Sequence, residues 1–212
     1  MAEPFLARPP ARAESDADRL AAALAAFDRA NAADPQWEES DEGPQPKALL
    51  YGRRMSACLA RLHPEASPEL RLAARAQHLE RWRIPRNSYP DGRVGYLTWR
   101  RDLKLYHAER AGAILGDLGF EGPLIARVGA LLRKERLKQD PESQALEDVA
   151  CLVFLEHEFA AFAEGHGEDK IVDILRKTWR KMSERGREAA LALPLEGRAL
   201  ALVQRALASQ AA

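Results

Sequence analysis

The sequence has few of the features that usually identify a function class. Only two of its 212 residues are cysteines, Cys58 and Cys151, and their spacing does not suit a metal site, which predicts buried thiols in a reducing compartment. No apolar run reaches about 18 residues, so no membrane-spanning helix is expected. The N-terminus has no apolar segment typical of a signal peptide. Together these absences predict a soluble, cytoplasmic protein without a membrane partner.

The chain also has no excess charge of either sign. Its 32 basic and 32 acidic residues give a formal net charge of zero. General electrostatic capture of DNA or of an anionic membrane is therefore not expected, and any anion binding must be local. Neither a glycine-rich phosphate loop nor a dinucleotide-binding fingerprint occurs, so no specific nucleotide is indicated.

Apolar residues recur at helical spacing along most of the chain, which predicts an all-α fold. The length suits one domain with one core. We expect residues 1–15, which contain three prolines, to be a disordered tail, with Asp16 or Asp18 capping the first helix. Residues 16–212 are expected to form a single irregular bundle of seven or eight helices. The predicted helices cover about 16–31, 47–62, 68–82, 96–118, 123–137, 142–164, 168–184 and 195–208.

One stretch, residues 70–112, has an unusual composition. It contains ten basic side chains, nine of them arginine, against four acidic ones, a net charge of +6 in a neutral chain. It also holds five aromatic residues and two of the five histidines. Arginine and aromatic side chains suit bidentate contact with phosphate and stacking on a ring, although they could also simply pin a loop. We predict that the stretch binds a phosphate-containing small molecule through Arg71, Arg75, Arg81, Trp82, Arg86, Tyr89 and Arg100.

His78 and His107 are the histidines of this stretch. A helix through residue 82 would place His78 on one stripe with Arg71, Arg75 and Trp82, where its arginine neighbours would lower its basicity. The alternative is a half-buried histidine packed on Trp82. His107 shares its predicted stripe with apolar residues, so it is either a ligand or a core histidine satisfied by one hydrogen bond.

Asp148 is the most informative acidic residue. It is predicted to lie well inside a helix, on a stripe with Leu152, Leu155 and Phe159. A carboxylate on an apolar stripe needs a cation, a hydrogen-bond donor or a metal. The two readings are a buried ion pair with an arginine and a metal ligand, which Glu147 could assist.

Several longer motifs resemble a known family. The segments FDRANAADP, YGRRM, LAARAQHLERWRIPRNSYP, GYLTWRRDLKLYHAE, LEDVACLVFLEHEF and KTWRKMS are similar to the family catalogued as domain of unknown function 4202. The resemblance covers about residues 26–189. The family name implies membership of a fold but no activity.

A fainter resemblance is to the all-α HD superfamily of metal-dependent phosphohydrolases. LAARAQHL, LYHAERAGAILGDLGF and DPESQALEDVACL resemble its successive ligand segments, which implies His78, His107 and Asp148 as ligands of a divalent zinc, iron or manganese ion. Two departures weaken the match. Tyr51 stands where the first histidine is expected, and Leu79 stands where the aspartate after the next histidine is expected.

These observations leave three hypotheses about function. The first is a divergent HD-like hydrolase that acts on a phosphate-containing small molecule or nucleotide, with Glu147 relaying protons. The second is a non-catalytic module that binds a nucleotide or RNA with the same arginine and aromatic residues, although a nucleic acid is the less favoured partner. The third is a protein-interaction scaffold. The oligomeric state stays open.

Overall fold

The computed structural model describes residues 15–208, and within them it confirms the all-α fold class. Ten α-helices lie in this range, so the predicted number of seven or eight is too low. A hairpin of two-residue strands, β1 (Trp37–Glu38) and β2 (Gln45–Pro46), joins the first two helices. The helices are α1 (Asp16–Asn31), α2 (Lys47–Leu62), α3 (Pro68–Arg75), α4 (Gly92–Asp117), α5 (Gly122–Arg133), α6 (Pro141–Val153), α7 (Phe159–Glu164), α8 (Glu168–Lys181), α9 (Glu184–Leu191) and α10 (Gly197–Ala208).

One contiguous hydrophobic core holds these helices together. The helix α6 packs against α2, α3, α8 and α9, and α4 packs mainly on α5. The α6 residues Leu146, Val149 and Val153 are fully buried, together with Phe27 of α1 and Met55 of α2. The apolar character of α6, read from the sequence, is therefore matched by its central position.

The first helix is capped one residue earlier than predicted. The Ser15 hydroxyl accepts a hydrogen bond from the Asp18 backbone N–H, and the Asp18 carboxylate accepts one from the Ser15 backbone N–H in return. This reciprocal capping box makes Ser15, rather than Asp16 or Asp18, the N-cap. The predicted disordered tail otherwise lies outside the residues that the structure describes.

The helix α3 is shorter than predicted, so the proposed stripe of Arg71, Arg75, His78 and Trp82 is wrong. The helix ends at Arg75, and Trp82 belongs to a 3₁₀ turn (Arg81–Arg83). The chain bends because Glu80 takes a left-handed conformation, with φ 48°, and donates its backbone N–H to the Asn31 side chain at 2.8 Å. This tertiary hydrogen bond overrides a local sequence of good helix formers.

Three other helix boundaries differ from the predictions. The helix α4 begins at Gly92 rather than near residue 96, and α5 ends at Arg133 because Lys134 adopts a left-handed conformation with φ 58°. A π-helical turn (Phe154–Glu158) interrupts the predicted helix 142–164 and separates α6 from α7. The short helix α9 was not predicted at all. No helix among residues 15–208 has the length and apolarity required to cross a bilayer.

Candidate functional site

A large open cleft of about 1040 Å³ lies among α4, α6 and α8. The turn after α3 and the segment after α5 also contribute to it. On α4, the lining residues Arg93, Leu97, Arg100, Lys104 and His107 follow one another at intervals of three or four residues, so they share one face of the helix.

The charge of the cleft is strongly one-sided. Nine basic side chains line it, against two acidic ones, in a chain whose net charge is zero. Such a concentration of one sign between low-dielectric walls attracts and holds anions. The basic residues are Arg81, Arg93, Arg100, Lys104, Lys134, Lys138, Lys177, Arg180 and Lys181, and the acidic ones are Glu147 and Glu158.

Several of these cations have no acidic partner among the described residues. Arg81 and Lys104 make no ion pair there, and the Arg81 guanidinium lies over the Trp99 ring, 4.6 Å from its centroid. Burial lowers the pKa of Arg81 below its ordinary value, and Arg100 adds to this effect. The pKa of Lys104 is lowered by burial and by the nearby Lys134 and Arg100. Unpaired cations that line one cleft are stabilised by an anion bound there.

Five of these nine basic residues lie outside the stretch 70–112 and were not predicted from the sequence. Lys134 and Lys138 follow α5, and basic residues are common at a helix C-terminus because they interact favourably with the helix dipole, so their sequence position does not indicate a binding site. Lys177, Arg180 and Lys181 lie on α8 at spacings of three and four residues, which was a readable signal of one basic helical face. Only the fold shows that these residues face α4.

The structure brings two of the seven predicted substrate-binding residues, Arg81 and Arg100, to the cleft. The other five do not line it. Arg75 donates to Asp28 and Ser56 at 2.8 Å, and Arg71 is exposed on α3. Arg86 donates to the Tyr89 and Pro90 carbonyls, Tyr89 donates to Asp102, and Trp82 lies outside the cleft lining.

His78 lies in the cleft beside Tyr51 of α2. The two rings stack with their centroids 3.7 Å apart and their planes 16° apart. Burial lowers the pKa of His78 well below its ordinary value, with Arg81 and His107 as further causes. His78 therefore stays neutral at physiological pH. Tyr51 thus contributes an aromatic surface to the cleft.

His107 is buried on α4, with only 3% of its surface exposed. Its Nδ1 lies 2.8 Å from the Leu79 carbonyl oxygen, and because a carbonyl only accepts, this nitrogen carries the proton. Burial lowers the pKa of His107 to about 4. The ring is therefore neutral, and its Nε2 is a lone-pair acceptor. This buried Nε2 has no partner among the described residues.

The state of His107 predicts a loss of stability in acid. The unfolded chain binds the imidazole proton below about pH 6.5, whereas the folded protein resists protonation down to about pH 4. Stability is thus greatest above pH 6.5, falls as the pH drops and levels off below pH 4. We expect this group to lower the free energy of unfolding by about 2 kcal/mol between about pH 7 and pH 5, measured by urea denaturation. The free energy of unfolding of His107→Asn should fall less steeply over this pH range. A fall as steep as that of the wild type would contradict the assignment of a neutral, buried His107.

Glu147 is the buried acidic residue of the cleft, and its carboxylate forms ion pairs with two lysines. Lys134 donates a hydrogen bond to it, and the Lys181 ammonium lies 3.8 Å away. Burial alone would raise the pKa of Glu147, but the charge and hydrogen bond of Lys134 lower it overall. In this arrangement Glu147 stays ionised and positions Lys134 and Lys181 at the cleft.

Asp148 does not line the cleft. It is 2% exposed, and its carboxylate accepts hydrogen bonds from the Ser183 backbone N–H at 2.8 Å, the Ser183 hydroxyl and the Gln144 amide. Ser183 is the N-cap of α9, so Asp148 joins α6 to the start of that helix. A Cβ on Gly186 would lie 2.7 Å from the Asp148 carboxyl carbon, so only glycine allows this close approach.

The three predicted metal ligands therefore do not form a ligand set. The His78 and His107 ring centroids are 6.2 Å apart, but the Asp148 oxygens are used by Ser183 and Gln144. Across residues 15–208 no three histidine, cysteine, aspartate or glutamate side chains come together as a metal site requires. Among the described residues, His78, His107 and Asp148 therefore do not fit one zinc, iron or manganese centre together.

Glu158 is the second acidic residue of the cleft and differs from Glu147. It lies at the end of the π-helical turn, a kind of distortion often found at functional sites. Its carboxyl group makes no hydrogen bond or ion pair among the described residues. Burial raises the pKa of Glu158, while Lys47 opposes this effect.

Comparison with known proteins gives one match. The sequence model of a family described as Domain of unknown function (DUF4202) matches residues 21–203. No curated protein and no solved structure matches the chain. The relationship to the HD superfamily therefore stays a prediction.

Proposed function

The chain belongs to the DUF4202 family, and we propose that it uses its basic cleft to bind a small molecule carrying two or more phosphate groups. The observation that supports this proposal is the imbalance of nine basic and two acidic side chains around one cleft in a neutral protein. Lysine and arginine are the side chains that proteins use to hold phosphate oxygens. A monophosphate alone would leave most of these cations unneutralised.

The form of the cleft also suits a small molecule. Its volume of about 1040 Å³ is at the upper end of the range for ligand pockets. Tyr51, His78, Phe154 and Phe162 contribute ring surfaces beside the cations. These rings would pack against the part of the ligand that carries no phosphate. We also propose a cytoplasmic location, since both cysteines are unpaired thiols.

A titration with inorganic tripolyphosphate tests the binding proposal. At a concentration about 100 times its Kd, the ligand should stabilise the protein by about 2.7 kcal/mol, measured as a rise in melting temperature. The Kd from calorimetry should rise about tenfold between about 50 and 300 mM NaCl, because salt screens the charges. Citrate, a tricarboxylate of lower charge, should bind at least about tenfold more weakly, because it would neutralise fewer of the cleft cations. No melting shift at about 10 mM tripolyphosphate would contradict the proposal.

Hydrolysis of the bound phosphate is the second candidate, and Glu158 favours it. A carboxyl group with a raised pKa and no cation partner is suited to exchange a proton with a reacting group. The metal-dependent route has no support, because the described residues supply no ligand set. Release of inorganic phosphate in the samples used for calorimetry distinguishes an enzyme from a binding protein.

A further inference from the structure

We infer that the ligand has, besides its phosphates, a neutral part whose hydroxyl or amino hydrogen is donated to the Nε2 of His107. This inference rests on the proposed phosphate binding and adds the chemical class of the ligand. The ligand would thus be a phosphorylated sugar or a nucleotide rather than a simple polyphosphate.

The first observation is the unused hydrogen-bonding capacity of His107. Its Nδ1 proton is committed to the Leu79 carbonyl, so only Nε2 can contact a ligand, and only as an acceptor. This nitrogen is buried and has no partner among residues 15–208, and it belongs to a residue that lines the cleft. A buried acceptor without a partner is costly, so such atoms are usually satisfied by a ligand or an ordered water.

The second observation is that the Gln77 side chain also has a buried acceptor without a partner among the described residues. Gln77 also lines the cleft, is 9% exposed, and its buried Oε1 has no partner in the part of the chain that the structure describes. Gln77 and His107 thus offer two acceptors in one cleft. Each is complementary to a hydrogen-bond donor.

The acceptors and the cations of the cleft suit two different parts of the ligand. Phosphate oxygens at neutral pH are acceptors, so they are repelled by a lone pair and attracted by the cations. The lysines and arginines therefore meet the phosphates, and His107 and Gln77 meet a group that carries O–H or N–H. The ring surfaces of Tyr51 and His78 would lie against the same neutral part.

The test compares three probes by calorimetry: ATP, fructose 1,6-bisphosphate and tripolyphosphate, of which the last has no neutral part. The variant His107→Asn keeps a donor for the Leu79 carbonyl but removes the Nε2 acceptor. A second variant, Gln77→Met, removes the amide at similar volume. Thermal melting establishes that each variant is folded.

The expected result is selective. The wild type should bind at least one of the two organic probes, ATP or fructose 1,6-bisphosphate, more tightly than tripolyphosphate. The His107→Asn variant should bind this organic probe about tenfold more weakly than the wild type does, which is the value of one hydrogen bond. Gln77→Met should weaken the same probe, and both variants should bind tripolyphosphate within about twofold of the wild type.

Three outcomes would overturn the inference while leaving phosphate binding intact. The first is that no probe is changed in His107→Asn, which would assign Nε2 to an ordered water. The second is that the variant weakens all three probes equally, which would place a protonated phosphate at Nε2. The third is that the wild type prefers neither organic probe. If the wild type fails to bind tripolyphosphate, the proposed function itself is wrong.

Discussion

A protein carrying both Arg81→Gln and Lys104→Gln should bind tripolyphosphate at least about 100-fold more weakly than the wild type. Both cations line the cleft and make no ion pair with the described residues. Each is expected to give a charge-assisted contact to phosphate, and two such contacts together account for a loss of this size. Neither change removes a protein hydrogen bond given by the structure, and Arg81→Gln removes the cation–π contact with Trp99, so the free energy of unfolding should fall by about 1 kcal/mol.

A second double variant is the matched control for this experiment. Arg71→Gln with Lys170→Gln removes the same two charges from exposed positions that lie outside the cleft. Its affinity for tripolyphosphate should change by no more than about threefold, since salt screens distant exposed charges. Equal losses in the two double variants would mean that net charge, and not the cleft, determines binding.

Asp148→Ala should lower the free energy of unfolding by about 3 kcal/mol, measured by chemical denaturation. The substitution leaves the Ser183 backbone N–H, the Ser183 hydroxyl and the Gln144 amide without their common acceptor. It also leaves a cavity where α6 meets the start of α9. The expected loss is large because the site is 2% exposed and water cannot replace the carboxylate.

Two further variants provide comparisons for Asp148→Ala. Asp148→Asn keeps the volume and one acceptor oxygen, so its cost should be nearer about 1 kcal/mol. Asp173→Ala removes an acid that is 55% exposed on α8 and should cost less than about 0.5 kcal/mol. The folded Asp148 variants should bind tripolyphosphate like the wild type. A variant of unchanged stability that has lost a bound metal would contradict this structural role.

The prediction that Asp148 needs polar partners was correct, but the described residues do not support the predicted metal site. The sequence places Asp148 on an apolar helical stripe, and the prediction that such a carboxylate must be satisfied agrees with the structure. Its partners are Ser183 and Gln144, rather than a metal or an arginine. Ser183 is 35 residues away in the chain, so no pattern around Asp148 could identify it.

The stretch predicted to bind an anion supplies only part of the basic lining of the cleft. The excess of arginine in residues 70–112 indicated a basic surface, and Arg81, Arg93, Arg100 and Lys104 of that stretch line the cleft. Other arginines of the stretch form ion pairs within the protein: Arg75 pairs with Asp28, and Arg110 pairs with Glu80. Composition counts charges, but it cannot distinguish a cation facing a ligand from one paired with an acid elsewhere in the chain.

The sequence by itself determined the all-α class, the bounds of α2, those of α1 to within a few residues, and the presence of a basic region in a neutral chain. These features depend on periodicity, caps and composition, which are local properties. The tertiary structure alone decided where α3 ends, which lysines after α5 and on α8 line the same cleft as α4, and which acceptors of the cleft lack partners among the described residues. The physical reason is that each of these depends on contacts between distant segments, such as Glu80 with Asn31, whose free energy exceeds the local helix preference.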